Sequence, residues 1–431
     1  MSAIAVIGGG YVGLTTASCF ARLGHDVVCA DIDEEKVARL SKGEVPFLEE
    51  GLPALLAEGL ASRRLAFVVG AVEAARTAEF VFLCVQTPQG ADGRADMSFV
   101  EDVVREIAPV LRPGSVVINK STVPVGSTAL VERLLGESGV PADSVGVASN
   151  PEFLREGTAV RDFLHPNRVV IGCQDTAVAV RISELYRSLQ APILVTDAAS
   201  AELIKYASNA FLATKVSFIN EIANLCEAVS ADVREVALGI GYDGRIGFEF
   251  LHPGPGFGGS CLPKDVAALL HDSGQAGYDF RMLTAVSEVN RLQHERIVEK
   301  IRGALNGELR GAEVGLWGLT FKANTDDVRD SPALAVASSL RAEGAHVRAY
   351  DPVVGEHALA RLPELDVVAD AYDACAGADV VVVLTEWDEF RWLDFDRVSQ
   401  LMRVSCIVDA RNLLDPAAMR KRGFTYLGLG R

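Results

Sequence analysis

The sequence predicts an α/β chain: two Rossmann-like, doubly wound lobes joined by a long central helix. Three observations lead there. The first thirty residues alternate strand, glycine turn, helix and strand; residues 200–231 hold neither Pro nor Gly; and strand–helix alternation resumes near Gly311. Such alternation signals mostly parallel sheets covered by helices on both faces. A chain of 431 residues accommodates two or three domains. The predicted divisions are 1–196, 197–298 and 299–431.

The first lobe opens with AIAVIG, an apolar β-branched run, followed by GGGYVG. Gly8, Gly10 and Gly13 form G-x-G-x-x-G between a strand and a helix, the setting a dinucleotide pyrophosphate requires. The second strand, DVVCAD, ends at Asp31, near the spacing of a carboxylate that accepts hydrogen bonds from the adenosine ribose. Asp33 adds negative charge, so NAD is favoured over a 2′-phosphorylated cofactor. Two further buried strands, EFVFLCV and SVVIN, put Thr87 and Thr122 just past their carboxyl ends, where ligands sit in open α/β sheets. Each threonine reads equally well as the cap of a following helix.

Apolar residues recur through the middle segment at Leu203, Tyr206, Ala210, Phe211, Phe218, Ile222, Leu225 and Val229. This predicts one helix of roughly 45–50 Å. Lys205 and Asn209 share a face of it, either as a solvated stripe or as part of a site. Beyond it comes GFGGSCLPKD, in which Cys261 follows a glycine-rich bend and precedes Lys264 and Asp265. A thiol so placed suits nucleophilic attack on a carbonyl. A one-step alcohol dehydrogenase has no use for it. A two-step oxidation does, because a thiolate added to an aldehyde gives an adduct that can lose a second hydride and leave a thioester. In that scheme Lys264 or Lys205 favours the thiolate and the oxyanion, and a carboxylate such as Glu152 or Asp265 serves the hydrolytic water.

The second lobe lacks the full glycine fingerprint. Ser331 and Pro332 read as an N-cap followed by Pro at the first helical position. Lys322, Arg329 and Arg411 lie near its strand ends, where they suit a phosphate-bearing ligand or pair with Asp326, Asp327 and Asp330.

Composition excludes other classes. A net charge of −17 argues against nucleic acid. The longest apolar runs fall far short of a membrane span, and the N-terminus lacks the basic region of a signal peptide. Eight cysteines without a C-x-x-C pair predict reduced thiols, a cytoplasmic chain and no metal centre.

GGGYVG, KSTVPVGST, NPEFLREG, AELIKYASNAFLATKVSFINE, RIGFEFLHPGPGFGGSCLPKD and GLTFKANTDDVRDSPAL occur in this order. Over nearly its whole length the sequence resembles the UDP-glucose 6-dehydrogenases, within the wider group of nucleotide-sugar 6-dehydrogenases. The resemblance implies a four-electron, NAD-dependent oxidation of UDP-glucose to UDP-glucuronate, with Cys261 as nucleophile. It implies that Lys205 and Asn209 sit beside the reacting carbon, with Lys205 stabilising charge on oxygen. Asp265 with Thr122 would hold the water, and Glu152 would act as acid or base in thioester hydrolysis.

Besides the fingerprint glycines, the implied NAD contacts are Tyr11, Val12, Asp31, Lys36, Thr87, Thr122, Glu156, Lys264 and Arg329. The sugar nucleotide would meet Glu152, Phe153, Leu154 and Arg155, with Lys205 and Asn209. It would also meet Phe250, Leu251, His252, Pro253 and Gly254, then Gly258, Lys322 and Arg411. Arg245 is expected to reach a partner subunit's substrate, which implies a homodimer or higher oligomer built on the long helix. GDP-mannose or a UDP-N-acetylhexosamine are alternative substrates, though NAFLATKVSFINE looks like the UDP-glucose branch. A silent nucleotide-sugar sensor is a third reading. It is disfavoured by the presence of Cys261, Lys205, Glu152 and Asp265 together.

Overall fold

The computed structural model describes residues 1–90, 93–354, 360 and 363–431. The chain forms two compact units, Met1–Ser208 with Ala267–Gln275 and Asn209–Val266 with Ala276–Arg431.

The first unit is built on eight strands: β1 (Ala3–Ile7), β2 (Asp26–Asp31), β3 (Leu65–Val69), β4 (Phe80–Leu83), β5 (Val116–Asn119), β6 (Gly146–Ser149), β7 (Val169–Gly172) and β8 (Ile193–Thr196). Their order is β3-β2-β1-β4-β5-β6-β7-β8. Neighbours run parallel except β6 and β7, which meet antiparallel at Ser149 and Gly172. The order reverses between β1 and β4, so the crevice beyond their carboxyl ends is the ligand position of this topology. β4 and β5 are buried at every residue, which is why they read as unbroken apolar runs. One core containing Leu14, Phe20 and Leu56 covers one face; another containing Val100, Val104 and Leu134 covers the other. The sheet is therefore doubly wound.

The second unit repeats the plan with β9 (Glu313–Trp317), β10 (His346–Tyr350), β11 (Asp366–Val367), β12 (Val380–Val383), β13 (Cys406–Asp409) and β14 (Thr425–Gly428). All neighbours are parallel, in the order β11-β10-β9-β12-β13-β14. Ser331 caps the helix Pro332–Ala342 by accepting from the Ala333 N–H, as its sequence predicts.

The long helix spans Ala198–Val229, 32 residues, or about 48 Å. It begins in the first unit and continues into the second. Its apolar residues divide into two stripes. Tyr206, Ala210, Ala213, Ile219 and Ala223 are buried, whereas Leu203, Phe211, Phe218, Leu225 and Val229 are exposed. Among the described residues no helix is long and apolar enough to cross a membrane, and no cluster of His, Cys, Asp and Glu could hold a metal ion.

Candidate active site

The fingerprint folds as its glycines require. Gly8 has φ of +107°, and a Cβ at Gly13 would lie 1.8 Å from the Gly8 carbonyl oxygen. The following helix, Tyr11–Arg22, starts at Gly10 with no side-chain cap, and a Cβ at Gly10 would meet nothing within 4 Å. Its first-turn N–H groups are thus left to an anionic ligand.

Asp31 closes β2. Its Oδ2 accepts from the Gly9 N–H at 2.9 Å and from Lys36 Nζ at 2.8 Å, and its Oδ1 accepts from the Asp33 N–H. Burial alone would raise this carboxyl. Lys36 and the two backbone donors outweigh it and hold Asp31 below its ordinary value. Tyr11 turns its phenol to the buried Glu49 carboxylate, and the Gly157 N–H donates to both. Burial first, and Glu49 second, push that phenol up, so it stays protonated.

Thr87 Oγ1 donates to the Thr122 carbonyl at 2.8 Å, tying the ends of β4 and β5 together. Neither threonine caps a helix. Ser98–Ile107 starts from Met97 and Ser127–Glu137 from Gly126. The uncapped helix, the open Gly10 and the acid at the end of β2 fit a dinucleotide in this unit.

In the second sheet Asp351, just past β10, corresponds in position to Asp31, and its Oδ2 is likewise held by its own chain. It accepts from the Leu319 and Thr320 N–H groups at 2.7 and 3.0 Å, from Thr320 Oγ1 at 3.0 Å and from Trp387 Nε1 at 3.2 Å.

In the first unit Glu152 and Lys205 form a buried ion pair at 2.8 Å, with side chains 5% and 4% exposed. Burial by itself would raise the Glu152 carboxyl, but the Lys205 charge and hydrogen bond, with the Leu154 N–H and Lys120, hold it below the ordinary range. Phe153 carries the Arg168 guanidinium 3.4 Å from its ring centre, and Arg155 pairs with Asp162.

Behind the pair, buried Lys120 donates to Asn150 Oδ1 at 3.0 Å and faces the Tyr186 hydroxyl at 3.4 Å. Asn150 in turn donates to the Val170 carbonyl and heads the NPEFLREG loop. Burial pulls the Lys120 ammonium down to about 8, partly opposed by Cys84 and Glu152. Between that value and the ordinary one of about 10.4 the unfolded chain binds the extra proton, so stability rises with pH there. We expect the denaturant midpoint to climb between about pH 8 and 10 in the wild type relative to Lys120→Met. Equal slopes in urea titrations of the two proteins would show that Lys120 is not held in this way.

In the second unit the thiol loop leads into the helix Leu262–Gln275, and the Asp265 N–H donates to the Cys261 carbonyl at 2.9 Å. Cys261 thus stands at a helix N-terminus, where the peptide dipoles favour a thiolate. Its sulfur lies 3.5 Å from Ser260 Oγ. All eight cysteines are thiols, and the other seven are buried. Burial pushes Cys84, for example, up to about 12.

Asp265 is 1% exposed. It accepts from Asn209 Nδ2 at 2.6 Å and from Lys264 Nζ at 2.8 Å. Asn209 and Lys205 stand one turn apart on the same helix. Among the expected site residues the structure thus pairs Lys205 with Glu152, and Asp265 with Asn209 and Lys264.

The loop's glycines serve the protein's own backbone. A Cβ at Gly258 would lie 2.2 Å from the Asp330 carbonyl oxygen, and the Gly259 N–H donates to the Arg329 carbonyl at 3.0 Å. Upstream, Phe250 holds φ of +63°, an uncommon conformation for a bulky residue. Leu251, Pro253 and Gly254 are buried after it, while His252 is exposed.

Of the basic trio, Arg329 pairs with Asp327 through two nitrogens. Arg411 pairs with Glu386 and donates to the Phe321 and Leu384 carbonyls. Lys322 extends over the Phe321 ring. Arg245 pairs with Asp243 and its side chain is 90% exposed.

Several residues escape sequence reading. Buried Glu202 caps the helix Ser127–Glu137 by accepting from the Gly126 and Thr128 N–H groups. Lys120 was hidden within a familiar motif. Asn290 and Gln293 carry a usable signal: they fall at helical spacing between Val286 and Ile297, on a stripe that is otherwise apolar.

Profiles of the UDP-glucose/GDP-mannose dehydrogenase family match the chain three times. The NAD binding domain covers residues 2–190, the central domain 199–292 and the UDP binding domain 315–416. The chain belongs to this family. It is an NAD-dependent nucleotide-sugar dehydrogenase.

The enzyme is 48% identical to a UDP-glucose 6-dehydrogenase of Rhizobium meliloti, over 99% of both chains. It is 44% identical to UDP-glucose 6-dehydrogenase TuaD of Bacillus subtilis, over all of this chain and 94% of that one. Among solved structures, a UDP-glucose dehydrogenase from Pyrobaculum islandicum superposes with a TM-score of 0.93 at 38% identity, over 99% of this chain and 97% of that one. A UDP-D-ManNAc dehydrogenase from Pyrococcus horikoshii gives 0.88 at 30%, over 99% of both.

Proposed function

We propose that the enzyme oxidises UDP-glucose to UDP-glucuronate in two steps, through a thiohemiacetal and a thioester on Cys261. The observation that carries the reading is the thiol at a helix N-terminus, four residues ahead of a buried Asp265 held by Asn209. The identity to UDP-glucose 6-dehydrogenases supports this sugar over GDP-mannose or a UDP-N-acetylhexosamine.

NAD, when bound, supplies the hydride acceptor; the fingerprint glycines, Val12, Asp31, Lys36, Thr87, Thr122, Glu156, Lys264 and Arg329 are the residues proposed to hold it. The C6 hydroxyl gives its proton to the water proposed beside Asp265, and Lys205 stabilises the negative charge left on that oxygen as the hydride departs and the aldehyde forms. The Cys261 thiolate then adds to the aldehyde carbon, forming the C–S bond, and the resulting alkoxide takes up a proton. Loss of that proton and of the C6 hydride gives the thioester. Asp265 orients a water against the thioester carbonyl with Thr122, Glu152 exchanges the proton, and the C–S bond breaks to return the thiolate.

The UDP-sugar contacts proposed are Glu152 to Arg155, Phe250 to Gly254, Gly258, Lys322 and Arg411. The segments 1–196, 197–298 and 299–431 are proposed as the NAD-binding, central and UDP-sugar-binding parts, in line with the spans of the family profiles. We further propose a homodimer in the cytoplasm. Its support is the exposed stripe of Phe211, Phe218, Leu225 and Val229, with Phe218 half exposed. Arg245 would reach the partner's substrate.

The deciding experiment is NADH formed per sugar consumed, with UDP-glucose, GDP-mannose and UDP-N-acetylhexosamines supplied separately. Two NADH per UDP-glucose, with little turnover of the others, is expected. One NADH per sugar would break the role given to Cys261. Asp31→Ala should weaken NAD about tenfold or more, as loss of a hydrogen bond to a charged group does. Unchanged affinity by calorimetry would remove Asp31 from the ribose site.

A further inference from the structure

Residues 250–261 form neither strand nor regular helix, so their backbone polar groups need partners from elsewhere. Three side-chain amides supply them. The Gly254 N–H donates to Asn220 Oδ1 at 2.9 Å, and Gln293 Nε2 donates to the Gly254 carbonyl at 2.9 Å. The Phe257 N–H donates to Asn290 Oδ1 at 2.7 Å, and Asn290 Nδ2 donates back to the Phe257 carbonyl at 3.0 Å.

Asn290 therefore grips one residue at both its donor and its acceptor, as a neighbouring β-strand would. Only an amide carries both groups on one plane; a carboxylate accepts without donating. Asn220 and Gln293 are 0% and 1% exposed. Burying amides costs stability unless they are bonded; both ends of the Asn290 amide are, whereas Asn220 bonds the loop through Oδ1 alone. Gly256 is fitted to the grip. Its φ is +122°, and a Cβ there would lie 2.6 Å from Asn290 Oδ1. On the other side, the loop rests on Arg329 and Asp330 through Gly259 and Gly258.

We propose that Asn290, seconded by Gln293 and Asn220, is a positioning residue that sets where the Cys261 sulfur stands. The proposal rests on the reading of Cys261 as nucleophile. Asn290 acts through the five residues from Phe257 to Cys261. Displacing a reacting group by about 1 Å costs on the order of a hundredfold in rate.

The test uses the full-length enzyme and the variants Asn290→Ala, Asn290→Leu and Asn290→Asp, with Glu299→Gln on the same helix as control. Three quantities are read: kcat with UDP-glucose, Kd for NAD, and the iodoacetamide alkylation rate of Cys261 located by peptide mass. For Asn290→Ala and Asn290→Leu we expect kcat down about tenfold or more, an alkylation rate shifted several-fold, and NAD affinity within about twofold of wild type. Asn290→Asp keeps the acceptor and should fall between. If the larger truncations do not fold, Asn290→Asp decides by the same readouts.

A folded Asn290→Ala with wild-type kcat and alkylation rate overturns the proposal. So does a loss of NAD affinity in step with kcat, which would mark a general structural role. Alkylation does not depend on the reaction. A wild type that forms one NADH per sugar therefore sinks the functional reading alone, and the clamp is still judged on the thiol.

Discussion

Cys261→Ser should stop the reaction between its two oxidations. The serine hydroxyl is a far weaker nucleophile at neutral pH, and an ester formed through it would hydrolyse slowly. We expect UDP-glucuronate formation to fall by roughly a thousandfold or more, the scale of losing a nucleophile. The first hydride transfer, which needs no thiol, should persist and yield one NADH per sugar. Rapid-quench analysis would find the aldehyde or, where the serine also adds and a second NADH is formed, a slowly hydrolysed serine ester. Unchanged turnover to the acid would end the covalent mechanism, because the remaining cysteines are buried and Cys84, for one, is held as a thiol.

Lys205→Met should have the largest effect on stability. It leaves the Glu152 carboxylate buried without the ammonium 2.8 Å away. Breaking one side of a buried pair costs about 3–5 kcal/mol. The pH dependence should change sign. In the wild type Glu152 sits below its ordinary value, so its contribution is present above the unfolded value of about 4.3 and lost as pH falls through the folded one. Without Lys205, burial dominates and the folded value rises. Stability is then fullest below the unfolded value and is lost as pH climbs through the folded one.

Denaturant midpoints between about pH 5 and 8 should therefore decline in Lys205→Met and not, from this group, in the wild type. Adding Glu152→Gln should recover most of the stability and none of the turnover. A single variant as stable as wild type at the upper pH would show that the pair does not carry this load.

What the sequence made legible was local. Gly8 to Gly13 and Asp31 belong to one strand–turn–helix–strand unit, and their spacing alone implies a cofactor. Cys261, Lys264 and Asp265 lie within five residues. Helical periodicity placed Lys205 beside Asn209, but could not tell which apolar stripe the core would cover. A period assigns residues to a face and says nothing of what packs there. So Phe211 and Phe218, counted with Tyr206, are exposed.

The rest depended on contacts far apart in sequence. Asp351 is held by Trp387 and by the Thr320 turn, thirty-six and thirty-one positions away. Gly258 leaves room for the Asp330 carbonyl, seventy-two positions further along the chain. Asn290 reaches Phe257 across thirty-three positions.

The unbroken helix through Lys205 and Asn209 also makes the chain intolerant of length change at that point. One inserted residue among Tyr206, Ala207 and Ser208 would swing Asn209 by roughly 100° and push it about 1.5 Å along the axis. Lys205 would then no longer stand one turn before Asn209 on a common face of the helix. At the Gly307 turn, where a Cβ would meet nothing within 4 Å, an insertion has no such register to destroy. The segment from 205 to 209 thus works as a fixed gauge, and an insertion there should be tolerated less well than one at the Gly307 turn.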